Sequence, residues 1–354
     1  FMRLIATRRD SRFAIRTSLL VLPILVAMPL IGLTSSSAAF SVVHRWRIGG
    51  DGAWDRLTTD PANHRLYLTR GDKIIVVDTA TGRQVGEITG SKSARTICLN
   101  PNGQFAYFTD SASGLVRVFD RGTLRLSGSI PAGTDPDAAV FDPSTNTLLV
   151  LNDTSKNATL IDASVNRSRA TVALPGKPAS TVTDGQGLAF VNINDAQELA
   201  RIDLHSGEYV GAWPIPGCSG PSGLAIDPAQ HDLYSVCENN RLFEIDARNG
   251  QMLSSVALPE GTRDIVFDPT HKLLFAASGG GTLTVLETND PHHMVALQTI
   301  KTMPGARTVA VDSSTGAVYL DTAEFGLRTG ETSEELRFRP TPVPNSFVVL
   351  VISR

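Results

Sequence analysis

Aromatic residues are scarce in this chain, 6 % of its 354 positions, and it carries three cysteines and seven histidines. No run of lysine and arginine accompanies those few aromatics, and the formal net charge is −3, so the electrostatic footprint of a nucleic-acid binder is missing. There is no CxxCH segment to attach haem and no HExxH to hold a catalytic zinc. No cofactor is expected.

What the chain has instead is a period. Asp60-Pro61, Asn100-Pro101, Asp142-Pro143, Asp184-Gly185, Asp227-Pro228, Asp268-Pro269 and Asp312-Ser313 follow one another at steps of 40, 42, 42, 43, 41 and 44 residues. Each mark ends a short apolar strand such as Asp264-Ile265-Val266-Phe267. The carboxylate is placed to accept backbone N–H groups two residues on, and proline presets φ for the turn. A second strand (Leu66-Tyr67-Leu68) follows. A third ends in Asp before a glycine turn (Val76-Val77-Asp78 to Thr81-Gly82), and a fourth (Val85-Gly86-Glu87-Ile88) closes the unit. Four strands, here a to d, at such a spacing are the signature of a β-propeller blade.

A lone four-stranded sheet leaves its faces uncovered, so such units stack around an axis until the ring closes. The segment Val42 to Ile48 reads as a strand d with no a, b or c before it, and Phe347 to Ile352 as a strand c with no d after it. Joined, they complete one blade. The expected fold is an all-β, seven-bladed propeller of four-stranded antiparallel blades, closed by the N-terminal strand d against the C-terminal strand c, with no long edge left open.

The D-P-x4-L-Y and V-D-x3-G pattern, with the late Pro344-Asn345-Ser346-Phe347 entry to the last strand, resembles the bacterial YncE / YVTN-repeat family of seven-bladed propellers. The resemblance covers roughly residues 41 to 354 and departs at Asp184-Gly185 and Asp312-Ser313, where individual turns are weakened. It implies an extracytoplasmic propeller. Members and relatives differ in role, so it leaves function open.

Residues 1–39 read as a signal peptide and residues 40–354 as a single propeller domain. Arg3, Arg8, Arg9, Arg12 and Arg16 form a positive n-region. An apolar stretch from Leu19 to Leu33, broken by Pro23 and Pro29, precedes the small residues Ser35-Ser36-Ser37-Ala38-Ala39. The stretch is short for a membrane span, so no stable span is expected after cleavage. A monomer in the periplasm or outside the cell follows. There Cys218, before strand a of blade five, and Cys237, at the end of strand b of that blade, open on one face and lie within reach of a disulfide; two unrelated buried thiols are the alternative. Cys98, inside Ile97-Cys98-Leu99, is expected to be buried and inert.

In this architecture the d-to-a and b-to-c loops share the top face, where ligands enter near the axis. Five residues before each turn mark stands the ring of that mouth: Asp55, Arg95, Asp137, Ala179, Ser222, Arg263 and Arg307. Arg263 and Arg307 come from adjacent blades, and two converging guanidiniums suit a carboxylate or phosphate. Alternatively, Asp55 and Asp137 pair with neighbouring arginines and seal the channel. The last b-to-c loop, from Thr322 to Asn345, is far longer than its counterparts and carries Glu324, Phe325, Arg328, Phe338 and Arg339. Loops of that length serve as lids or binding loops, or are solvated flaps. Arg328 therefore joins Arg95, Arg263, Arg307, Asp55 and Asp137 as a ligand-binding candidate.

Asp110, Asp153, Asp195, Glu238 and Asp321 lie near b-to-c loops, where calcium finds oxygen ligands, though exposed loop carboxylates are mostly just solvated and no metal site is expected. His64, His231 and His271 fall in a-to-b turns, and His205, His292 and His293 near c-to-d turns, on the bottom face; His44 is on an outer strand. The top face then has no imidazole for a Ser-His-Asp relay or a histidine-rich zinc site. This favours a non-enzymatic binding module that presents its top face to a small anionic ligand or a protein partner. A lactone hydrolase, since related propellers include lactonases, and a subunit of a periplasmic redox complex are the alternatives.

Overall fold

In a computed structural model the described residues are 39–101, 103–288, 293–326 and 341–354. Residues 1–38, on which the signal-peptide expectation falls, and Arg328 lie outside them. Blade 1 runs through Leu57–Asp60, Arg65–Arg70, Lys73–Asp78 and Gln84–Thr89, from axis to rim. Blades 2 to 6 repeat it from inner strands Ala94–Leu99, Pro136–Asp142, Pro178–Thr183, Pro221–Asp227 and Thr262–Asp268. Blade 7 takes Val309–Asp312, Ala317–Thr322 and Val348–Ser353 from the end of the chain and its rim strand, Ser41–Arg47, from the beginning. Ser41 stands opposite Ser353 and Arg47 opposite Val348. This is a seven-bladed, four-stranded antiparallel propeller closed by its two ends. Its only helical segments among the described residues are the short turns Pro61–Asn63 and Ser111–Ser113, and no described helix is long and apolar enough to cross a membrane.

Burial follows distance from the rim. Strand b is covered along its whole length, as in Thr147–Asn152 and Leu273–Ser278, because neighbouring blades press on both of its faces. Strand d is largely exposed, as in Leu126–Pro131, and its sequence is correspondingly polar. The apolar core is divided into seven wedges, each between adjacent blades. Tyr234, Val236 and Leu242 of blade 5, for example, meet Leu274, Ala276 and Leu286 of blade 6. No blade owns a core, so none is expected to hold alone.

The repeated aspartate at the foot of strand a has two tasks. Within its own turn, Asp142, Asp227, Asp268 and Asp312 accept the N–H of Thr145, Ala229, Thr270 and Ser314 at 2.9, 3.0, 3.0 and 2.9 Å. Asp184 keeps this bond without proline, from Gln186 N–H at 2.8 Å. At blades 3 and 5 the second oxygen reaches the next blade, whereas that of Asp268 lies 2.7 Å from His271 Nδ1 of its own turn. Asp227 accepts from Lys272 at 2.9 Å, and Asp142 from the Gly187 N–H at 3.3 Å and the Thr183 hydroxyl. Asp60 departs from the pattern: in its own turn it accepts the Asn63 side-chain amide at 3.0 Å in place of a backbone N–H, and it receives the Arg121 guanidinium of blade 2 at 2.8 Å. Apart from the half-buried Asp184 these carboxylates are buried, and buried charge persists only when it is paired and hydrogen-bonded.

Cys218 and Cys237 are joined in blade 5, their Cα atoms 5.5 Å apart. Cys98 is buried, donates to the Ala139 carbonyl at 3.0 Å, and has its thiol pushed up to about 12 by burial. The inner strands of blades 5 and 6 approach backbone to backbone at Gly223. A Cβ there would stand 2.7 Å from the Arg263 carbonyl oxygen and 2.9 Å from Asp264 Cα, neither of which can swing aside. Gly223→Ala is therefore expected to cost about 2 kcal/mol, the scale of overpacking in a filled interior. The midpoint of denaturant unfolding measures it, and an unchanged midpoint would mean that the two strands sit further apart.

Candidate functional site: a charged cup at the mouth of the channel

All seven residues of the expected ring line one hollow of about 370 Å³ at the top of the channel. The backbone explains why. In blades 2 to 6 the pairing of strands a and b slips at the ring position, between Ala94 and Ile97, Pro136 and Ala139, Pro178 and Ser180, Pro221 and Leu224, and Thr262 and Asp264. Such irregularities re-aim side chains, and here they bring ring residues from successive blades to the axis. They also break strict alternation, so residues one step deeper face the channel too.

That second step contains the pair that the sequence reading missed. Arg56 of blade 1 reaches past blade 7 to Asp264 of blade 6, Nη1 to Oδ1 at 3.3 Å, and Asp264 also accepts the Val309 N–H of blade 7 at 3.1 Å. Arg56 and Asp264 line both the cup and the hollow below it, whose walls are otherwise apolar or hydroxylated. They are the floor of the cup. Burial alone would lower the basicity of Arg56, but Asp264, Asp137 and Asp55 outweigh it and hold the guanidinium charged. The pair was legible only as the two ionisable residues four positions before a turn mark, Arg56 and Asp264, in a ring otherwise neutral.

Most of the remaining charge is matched. Arg95 donates to Asp55 at 2.9 Å, the pairing expected of a seal. Loops add Lys177 with Asp153 at 3.1 Å and Arg263 with Glu238 at 3.6 Å, and Asn194 donates to the same Glu238 oxygen at 3.4 Å. Ser222 is turned away, its hydroxyl donating to the Val236 carbonyl at 3.2 Å, and Ala179 adds no polar group. Two groups stand apart. Among the described residues, neither the Asp137 carboxylate nor the Arg307 guanidinium has an ion-pair or hydrogen-bond partner. The expectation that Asp137 pairs with an arginine is thus not met: burial and the charge of Asp55 raise its pKa to about 6, against the pull of Arg56 and Arg95.

Behind the wall, Thr308 lines the cup and its hydroxyl donates to Asp321 Oδ1 at 2.6 Å, while Asp321 Oδ2 has no partner. Burial pushes Asp321 up to about 7. The other b-to-c carboxylates are committed elsewhere, Asp110 to Arg117 at 3.1 Å and Asp195 to Lys156 at 2.8 Å. Among the described residues no three of His, Cys, Asp and Glu converge closely enough to hold a metal ion. His271 lies on the opposite face, 2.7 Å from Asp268.

A larger hollow of about 660 Å³ adjoins blades 7 and 1, lined by Trp54, Phe347 and Val343 among others. Arg70 is its cation, but it stacks 3.9 Å over Phe347 and donates to the Gly50 and Gly52 carbonyls at 3.0 and 2.9 Å. Its charge holds the d-to-a loop, so the available polar chemistry is in the cup. The base of the long loop is a short ladder, Phe325–Gly326 against Thr341–Pro342.

The chain is a seven-bladed β-propeller with a charged, water-open cup at the top of its channel. No protein-family model matches the chain, and no curated protein matches it. Among solved structures it is similar to the Kuenenia stuttgartiensis hydrazine synthase, at 15 % identity over 75 % of this chain and 91 % of that one, with a TM-score of 0.67. It is also similar to U3-55K, at 10 % identity over 87 % and 97 % of the two chains with a TM-score of 0.71. The RRP9 WD40 repeats give 11 % identity over 88 % and 97 % with a TM-score of 0.73. At such identities the likeness shows the fold alone.

Two stability experiments follow. Asp264→Ala strands Arg56 in the channel and is expected to cost about 2–3 kcal/mol. Arg263→Ala with Arg307→Ala should stay within about 0.5 kcal/mol of wild type, as for ordinary surface positions. Equal losses in thermal or denaturant unfolding would make all of them parts of a seal. The second experiment concerns pH. Because the folded-state pKa of Asp321 is raised, its contribution is complete below about pH 4 and is lost as pH rises through 7. Asp321→Asn is expected to remove that loss and to be more stable than wild type near pH 8 by about 1–3 kcal/mol. Parallel stability–pH curves for the two proteins would refute the assignment.

Proposed function

We propose that this propeller is an exported binding module whose cup captures a small ligand by an anionic group, a carboxylate or phosphate, through Arg307 and Arg263. The observation that carries this is the state of Arg307. Its guanidinium is exposed in the cup without a partner among the described residues, one blade from Arg263, whose ion-pair partner Glu238 stands 3.6 Å away. Arg56 and Arg95, in contrast, each have a carboxylate of their own. A planar donor fork left unspent in a concave polar site suits an oxyanion.

Export is supported by the Cys218–Cys237 bond, which belongs in an oxidising compartment, and by the basic and then apolar N-terminal sequence. The periplasm or the cell exterior is the location this favours, in keeping with the resemblance of the repeat to YncE / YVTN propellers. Among the described residues the cup lining has no imidazole or thiol, its serine hydroxyl is turned away, and its threonine hydroxyl is held by Asp321 behind the wall, so no histidine- or cysteine-based relay is assembled from them. The lactone-hydrolase and redox-subunit alternatives draw on likeness of fold alone.

Thermal unfolding of the purified protein against organic acids, sugar phosphates and inorganic phosphate tests the proposal. A ligand at about a hundred times its Kd is expected to stabilise by roughly 2.7 kcal/mol, and the Arg263→Ala, Arg307→Ala double variant should lose that gain. No stabilisation by any anion would overturn the small-ligand proposal in favour of a protein partner.

A further inference from the structure

Four ion pairs, Arg95–Asp55, Arg56–Asp264, Lys177–Asp153 and Arg263–Glu238, account for most of the charge lining the cup. What remains is one anion and one cation, Asp137 and Arg307. They do not face each other at short range. Asp137 belongs to blade 3 and Arg307 to blade 7, three blades apart by the shorter way round, and no two blades of a seven-membered ring are further apart. Arg263 of blade 6 is also three blades from Asp137. The cup therefore has one unpaired anion on one side and one unpaired cation on the other, each open to what enters between them.

Resting on the assignment of the cup as a ligand site, we propose that its ligand is a zwitterion, a small molecule with a carboxylate or phosphate at one end, held by Arg307 and Arg263, and an ammonium group at the other, held by Asp137. A simple anion would satisfy Arg307 and leave Asp137 unpaired in a partly buried site, which is a cost that the ammonium group removes. A hollow of about 370 Å³ is at the small end of ligand sites and suits a molecule of amino-acid or short-peptide size. The two contacts also explain discrimination. A ligand with one charge leaves the opposite wall unmatched, and rejection follows from that unmatched group as much as from the missing attraction.

Asp137 faces Asp55 and Arg56 from blade 1, Arg95 from blade 2, Asp153 from its own blade and, through Asp153, Lys177 of blade 4. Burial and the Asp55 charge raise its pKa to about 6, so the carboxylate is ionised near pH 8 and largely protonated near pH 5. Capture of the ammonium end should weaken as pH falls through that value.

Calorimetric titration of the purified full chain near pH 8 tests this with four probes: γ-aminobutyrate, ε-aminocaproate, butyrate and butylamine. The expected result is that one of the two amino acids binds at least roughly tenfold more tightly than either single-charge probe. Asp137→Asn should reduce it to the level of butyrate, and Arg307→Gln to the level of butylamine. Wild type near pH 5 should behave as Asp137→Asn does near pH 8. Asn matches the shape of Asp and removes a charge that burial disfavours, so this variant should fold at least as well as wild type. If butyrate binds as tightly as the amino acids and Asp137→Asn changes nothing, the zwitterion proposal fails while the anion site stands. If none of the four binds up to about 10 mM while an anion of the wider panel does, the zwitterion proposal again fails alone. If neither set binds, both fail.

Discussion

The ring depends on a carboxylate buried at the foot of five of its seven inner strands, Asp60, Asp142, Asp227, Asp268 and Asp312. At blades 3 and 5 the repeated aspartate closes its own turn with one oxygen and takes a donor of the next blade with the other. At Asp60 the carboxylate is shared between the Asn63 amide of its own turn and Arg121 of the neighbouring blade. A blade has no core of its own, since each apolar wedge belongs to two blades. A polar clasp at a fixed level therefore matters more than its net energy suggests: it sets the angle and height at which wedges meet. The clasp also keeps the inner strands in one register, and everything at the mouth is measured from it.

From that register the site follows. Counting back from the clasp, the slip in a-to-b pairing falls at the same step in blades 2 to 6, and the residues there come to line one hollow, although the Ser222 hydroxyl is turned away from it. A ring of seven such positions is a compact way to gather distant parts of a chain. It brings Asp55 and Arg307, far apart in sequence, into the same small hollow. The floor made by Arg56 and Asp264 gives the hollow a depth, because it separates the charged mouth from a lower channel with apolar walls.

The fold was legible because the period is written by residues with strict local duties: Asp and Pro at a turn, Gly at a hairpin, β-branched and aromatic residues in covered strands. The ring was legible for the same reason, as a constant offset from the turn. The partners of its charges were not. Arg56 finds Asp264 two blades away around the closure, and Lys177, Asp153 and Glu238 arrive on loops whose reach is set by packing between blades. The expectation that both ring aspartates would be neutralised held for Asp55, which has Arg95 on the next blade. It failed for Asp137, whose nearest cations are drawn to other carboxylates. Pairing in a ring is a competition among several neighbours, and a linear sequence shows the competitors without their distances.

The account stands or falls on how Asp137 and Arg307 are satisfied when the cup is occupied. A crystal structure of the protein grown near pH 8 with whichever of γ-aminobutyrate and ε-aminocaproate binds more tightly shows this directly. The expected result is one molecule across the mouth, its ammonium group at Asp137 and its carboxylate at Arg307, with the Arg56–Asp264 pair intact below it. A cup without ligand, in which Asp137 and Arg307 are paired with other groups of the protein, would contradict the account and make the mouth a structural plug.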